Sequence, residues 1–311
     1  MPLAARQHGV SLLELVIAMG LLTAFTGALF ALIHPSRRAF SAAPDTADLQ
    51  QRLRVAVDAL TTDLMMAGAG PFEGSSVGPL VQQFAPLRPG PTGTLSDAVT
   101  LMYVPTTAVQ TTTAAEFTPA SEQLQLAADP GCPVGALQCG TKAGMKLLVF
   151  DPSGNADLLN VVGVTATYAL VTNASRPAES PRPSYLAGST VAEAVMRRYW
   201  RKSNAPPASD QLMRDDAPVV DHVTGLTFDY YAEAAPGERL AKLAPAQLAD
   251  GPWVPDGADP GRWDVDWRRI RKIGVTIRVE APAGKGAAPV PDQEVRWQIS
   301  PRNLEWSAGP P

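Results

Sequence analysis

The sequence predicts an α+β protein: a long N-terminal helix, apolar in its first half and amphipathic in its second, packed on an antiparallel β-sheet domain with long loops. Three observations carry this reading. Glu14 is the only charge between Val10 and Ile33. Leu49, Leu53, Val57, Leu60 and Leu64 then recur at steps of three and four, the period of a helix with one apolar face. Beyond Gly70 come runs of alternating or β-branched residues, separated by stretches rich in proline and glycine.

The bulk properties fit such a chain. Of 311 residues, 45% are hydrophobic and 18% charged, enough apolar material to bury a core and too much for general disorder. A net charge of -4 weighs against a nucleic-acid partner, which calls for a basic face. The 30 prolines, about twice the average frequency, cluster between apolar runs and predict many irregular connections.

The first element is the run Val10–Ile33. At ~1.5 Å per residue a helix of this length crosses a hydrocarbon core of ~30 Å. Three readings compete for it: a cleaved secretory signal, a permanent anchor, and a segment that leaves the bilayer to pack against other proteins. A secretory signal has a shorter apolar core followed directly by a small-residue site. Here His34, Pro35, Arg37 and Arg38 intervene before "FSAAP". A plain anchor explains the run but gives no reason for Glu14, because an acid inside hydrocarbon costs about 2.5–3.5 kcal/mol at a helix centre.

The second element runs from Asp45 to Gly70 in "DTADLQQRLRVAVDALTTDLMMAGAG", an amphipathic helix ended by Gly68 and Gly70. Asp45 in its first turn suits the helix dipole. Pro35 and Pro44 predict a kink or break between this helix and the apolar one. Strands are then expected over residues 97–104, 145–150, 156–170, 191–200, 218–232, 271–281 and 293–300. The turn "DPSGNAD" joins the second and third, which implies antiparallel pairing. Residues 86–94, 173–188, 203–208 and 233–262 read as surface excursions.

The stretch "GVSLLELVIAMGLL" resembles the type IV prepilin signature, in which a membrane peptidase cuts after a glycine and methylates the new terminal amine. The resemblance implies Gly9 as the last leader residue and Val10, where the family usually has phenylalanine, as the methylated N-terminus. Glu14 becomes the acid that pairs with such an amine, its own or a neighbour's. A buried carboxylate is tolerable when so paired, and an intermolecular pair fixes the register of one apolar helix on the next. The segments "RLRVAVDALTTDLMMAGAG", "VVDHVTGLTFDYYAE", "IRKIGVTIRVEA" and "ISPRNLEW" extend the resemblance to the larger minor pilins and the J class of pseudopilins.

That resemblance implies a leader at 1–9, a transmembrane and filament-core helix at 10–34, its amphipathic continuation at 35–70 and a periplasmic β-rich domain at 71–311. It also implies an inner-membrane subunit whose partners are other minor and major pilins or pseudopilins, the prepilin peptidase and an assembly platform, with no enzymatic activity and no cofactor. Two alternatives stand beside the pilus subunit: a type II secretion pseudopilin of the J class, and an anchored extracytoplasmic binding or adhesion protein that does not polymerise.

Cys132 and Cys139, in "DPGCPVGALQCGTK", are the only cysteines. An even pair closing a short loop in a domain outside the cytoplasm reads as a disulfide; two ligands without a nearby histidine are too few for a metal. "GSSVG" places Ser76 as in a nucleophile elbow, but the strand before it and the helix after it are missing from the pattern. It reads as a flexible turn, and His222 as a structural histidine within a strand. Asp256, Asp259, Asp264 and Asp266 offer oxygen ligands for Ca²⁺ without EF-hand spacing. Interleaved Trp253, Trp263 and Trp267 either form a contact surface or pack that loop onto the sheet.

Overall fold

A computed structural model describes residues 11–70, 86–90, 97–105, 109–152, 155–174, 182–206, 208–233, 239–243, 267, 270–281 and 290–304, with positions 32–42 and 233 described by backbone only. The architecture is an N-terminal helix followed by antiparallel β-structure. The chain divides into two compact units, residues 1–51 with 280–292 and residues 52–279 with 293–311.

Helix α1 runs from Leu12 to Met66 as one element. The expected break at Pro35 or Pro44 does not occur. Each ring removes one backbone donor, and the intervening "SRRAFSAA" contains alanine and arginine, strong helix formers that sustain the helix on either side. In the second unit, Leu53, Leu60 and Leu64 of the expected stripe are buried while Val57 is half-buried and Ala56 takes the covered place beside it; Arg54, Asp58 and Thr62 are exposed. Gly68 ends the helix at φ +80°. A Cβ there would sit 3.1 Å from both the Asn303 carbonyl oxygen and Leu304 Cδ2, so conformation and space both call for glycine.

The strands are β1 (Leu87–Pro89), β2 (Ala98–Tyr103), β3 (Gln110–Thr112), β4 (Gln123–Leu124), β5 (Lys146–Phe150), β6 (Ala156–Val164) and β7 (Ala169–Asn173). There follow β8 (Thr190–Lys202), β9 (Gln211–Arg214), β10 (Ala217–Asp221), β11 (Val223–Glu233), β12 (Leu240–Leu243), β13 (Ile270–Val279) and β14 (Gln293–Ile299). They form a 10-stranded sheet through β10 and a 4-stranded sheet ordered β12-β11-β13-β14. The spine of the larger sheet is β8. Its first half pairs with β3 and β5 and its second half with β2 and β9, all antiparallel.

The larger sheet is buried on both faces. Leu147, Val149, Leu159, Val161 and Val171 join Phe117 and Tyr185 in one cluster. Leu148, Phe150, Leu158 and Ala192 join Met102 in another. Two-sided burial is why "KLLVF" is apolar without alternation. A carboxylate also lies inside this sheet: Asp157 is fully buried and accepts the Tyr185 hydroxyl at 2.7 Å.

Two expected strands are each divided in the structure. Residues 156–170 make β6 and the start of β7, with Thr165–Tyr168 between them. The Thr165 hydroxyl closes this turn, donating to the Tyr168 carbonyl at 2.9 Å and accepting the Tyr168 N–H at 3.1 Å. The β-branched run "VGVTATY" conceals that turn because threonine serves both strand and turn. Residues 218–232 are divided at His222, whose φ of +59° carries the chain from β10 in one sheet to β11 in the other. Two further corrections fall in expected loops: β1 lies within 86–94 and β12 within 233–262. Both are short edge strands, and Pro89 is tolerated at the end of one.

His222 makes a direct test of this seam. Valine is strongly disfavoured at positive φ whereas glycine is not. His222→Val is expected to destabilise the domain by about 1–3 kcal/mol in urea titrations, with His222→Gly costing less.

Candidate functional site

The most distinctive feature of the first unit is the exposed apolar surface of α1. Leu12–Ala31 has a mean hydropathy of 2.0 with none of its surface buried, long and apolar enough to cross a membrane. Leu12, Met19, Leu21, Leu22 and Phe25 are each more than 60% exposed, a density of apolar side chains that water does not favour. Glu14 stands in the first turn of this helix, where the dipole favours an anion. It is exposed, and no cation among the described residues lies within ion-pair distance of it. Gly9 and Val10 lie outside the described residues.

In the second unit the helix is fastened to the sheet by a buried polar cluster. Asp63 projects from the buried stripe between Leu60 and Leu64. Its carboxylate accepts the Tyr199 hydroxyl at 2.6 Å, and Arg214 stands 3.9 Å away. The same hydroxyl reaches the Ala59 carbonyl at 3.2 Å. Farther along β8, Arg197 donates to Asp215 at 2.9 Å. Asp215 occupies the β9–β10 turn at φ +54° and also accepts the Arg198 N–H at 2.8 Å. Arg52 on the helix forms an ion pair with Asp221 on β10. Backbone bonds complete the attachment, with Gly68 N–H donating to Met102 and Val104 N–H to Ala69.

Sequence reasoning left Asp63 off the apolar stripe. A signal was present: Leu49, Ala56 and Asp63 are spaced by sevens, which returns each to the same side of a helix. Burial, followed by the Asp63 carboxylate, holds the Tyr199 phenol well above its ordinary value, and burial does the same for Tyr230. The folded state therefore keeps protons on these phenols that the unfolded chain releases above its ordinary tyrosine value of about 10. Stability is present below that pH and falls as pH rises through it. Denaturant titrations are expected to show this alkaline loss, less steeply after Tyr199→Phe.

A disulfide joins Cys132 and Cys139, with Cα atoms 4.7 Å apart. The ring is held from inside. Gln138 and Cys139 adopt φ of +46° and +55°, and the Gln138 side chain accepts the Leu126 N–H at 2.9 Å and donates to the Ala166 carbonyl at 3.3 Å. Between the cysteines, Val134 and Leu137 are exposed. Replacing both cysteines by serine is expected to cost about 2–3 kcal/mol and to open residues 133–137 to limited proteolysis, read by peptide mapping. A disulfide of this kind fits an oxidising compartment.

Ser76, Trp253, Trp263 and the four aspartates Asp256, Asp259, Asp264 and Asp266 lie outside the described residues. Trp267 is buried. Among the described residues no three His, Cys, Asp or Glu side chains are grouped to hold a metal. The first unit thus carries an exposed apolar helix segment bearing one acid, and the second a β-rich domain fastened to the end of the same helix. No protein-family description matches the sequence, and neither a curated protein nor a solved structure does.

Proposed function

We propose that this chain is a minor subunit of a type IV pilus or a related pseudopilus, made as an inner-membrane precursor, cut between Gly9 and Val10, methylated at Val10 and assembled through its apolar helix. The observation that carries the reading is the placement of Glu14, the single charge between Val10 and Ile33, four residues after the new amine. In hydrocarbon that acid is stabilised by an ammonium partner, and cleavage supplies one. The β-rich domain then faces the periplasm, in keeping with its disulfide. Its role is to initiate or cap a filament with other pilins on the assembly platform; a J-class pseudopilin of type II secretion performs the same act in a different machine.

The test is intact mass spectrometry of the protein from its native membrane, with and without reductant. The expected mass lacks Met1–Gly9, carries one extra methyl and gains two hydrogens on reduction. A chain that retains its leader overturns the proposal and returns the molecule to an anchored binding or adhesion protein.

A further inference from the structure

Among the described residues, the outer strand of the smaller sheet has a strand neighbour on one side only. β14 pairs with β13 in unbroken register from Gln293 to Ile299, without bulge or proline, and no second strand lies beside it among the described residues. Among the described residues the backbone groups of its other edge have no strand partner, which is the form of surface that adds a strand. The sheet is also less well covered here than elsewhere. Ile273, Val275, Ile277 and Val279 of β13 are buried, whereas Val295 and Trp297 on the same face of β14 are only half-buried. The Trp297 indole N–H is enclosed without an acceptor among the described residues.

The opposite face of β14 carries Glu294, Arg296 and Gln298, all exposed. Glu294 is shared by two guanidiniums, Arg296 at 2.6 Å and Arg278 at 3.5 Å. Antiparallel neighbours place directly opposed residues on the same face. Two copies of β14 laid edge to edge about an axis through Val295 therefore set Glu294 of each copy against Arg296 of the other, twice. The same arrangement sets Gln293 against Trp297. The neighbouring registers that keep the faces matched put Glu294 against Glu294 or Arg296 against Arg296, and like charges directly opposed are destabilising. Within Gln293–Ile299 this is the one register that opposes unlike charges.

We propose that the open edge of β14 binds a second copy of this chain, forming an antiparallel β14–β14 pair centred on Val295 and registered by reciprocal Glu294–Arg296 contacts. The charges on such an edge have another use, which is to repel further strands, and the experiment separates the two. Full-length protein carrying Val295→Cys is oxidised in its membrane, as is the same chain carrying Gln298→Cys. In the proposed register the two copies of residue 295 face each other within disulfide reach. The two copies of residue 298 are about 20 Å apart, at ~3.4 Å per residue.

The expected result is a covalent dimer from Val295→Cys alone. In that background, Glu294→Arg and Arg296→Glu are each expected to lower the dimer yield at least tenfold, and mixing the two variants to restore it, because the mixed pair again opposes unlike charges. A failure of Val295→Cys to cross-link, equal cross-linking at position 298, or yields indifferent to charge reversal and mixing would each overturn the proposal. A monomer with an otherwise native fold, shown by unchanged protease resistance and an intact Cys132–Cys139 bond, leaves the edge as a repelling one.

Discussion

Glu14→Leu is expected to leave the chain in the membrane and abolish its entry into filaments, a loss of at least tenfold in sheared-filament immunoblots. The substitution removes the only charge from the span, so insertion becomes easier, by less than the about 2.5–3.5 kcal/mol of a helix centre because Glu14 stands in the first turn. Under the proposed function, assembly loses the partner that an incoming ammonium needs, and an unpaired buried charge is strongly unfavourable. The two effects have opposite sign, which makes the result informative. An ordinary anchor would become better anchored and lose nothing. Glu14→Asp retains the charge and is expected to retain part of the assembly; Glu14→Gln, which keeps a polar group but no charge, is expected to fail. Normal incorporation of Glu14→Leu would remove the electrostatic basis of the proposed function.

The second large effect concerns the fastening of helix to sheet. Tyr199→Phe removes one oxygen and leaves the Asp63 carboxylate, only 8% exposed, without the 2.6 Å donor. A hydrogen bond to a charged group is worth about 1.5–3 kcal/mol, and a loss near the upper end is expected because little water can replace the phenol. Arg214 stands too far away, at 3.9 Å, to supply the missing bond unaided. Asp63→Asn restores a neutral acceptor and should recover part of the loss when combined with Tyr199→Phe. A double-mutant cycle on urea midpoints measures the coupling. Coupling near zero would mean that the cluster contributes packing alone.

Most of the helix and the long strands were legible in the sequence because burial imposes a period: three to four along α1, and two or continuous apolarity along the strands. Pro35 and Pro44 misled because a proline's local preference was overcome by the segment that contains it. His222 and Thr165 misled in the opposite sense, since a single backbone torsion or one hydroxyl turned a chain that composition would have kept straight. The short strands β1, β3, β4, β9 and β12 have too few residues to show any period, and β3 and β4 are held by neighbours distant in sequence, β8 and β7. The Cys132–Cys139 pair was legible from number and spacing. Asp63 was the substantial omission. A carboxylate at an apolar position reads as an interruption until its tyrosine, far along the chain on β8, is seen beside it.

The position of β8 also orders the folding of the chain in time. β2, β3 and β5 are made first, yet each has one side that only β8 covers, with Ala98 pairing across to Trp200 and Lys146 to Ala194. Contacts so distant in sequence close slowly, because the intervening chain loses its freedom before these strand pairs form. An emerging chain therefore carries open β edges until residue 202 is available, with the apolar helix already at its N-terminal end. During that interval the same edges can pair wrongly between nascent chains. The long central strand that unites the finished sheet thus makes its assembly a late event, and a truncation just before Thr190 should yield an aggregating product rather than a smaller folded domain.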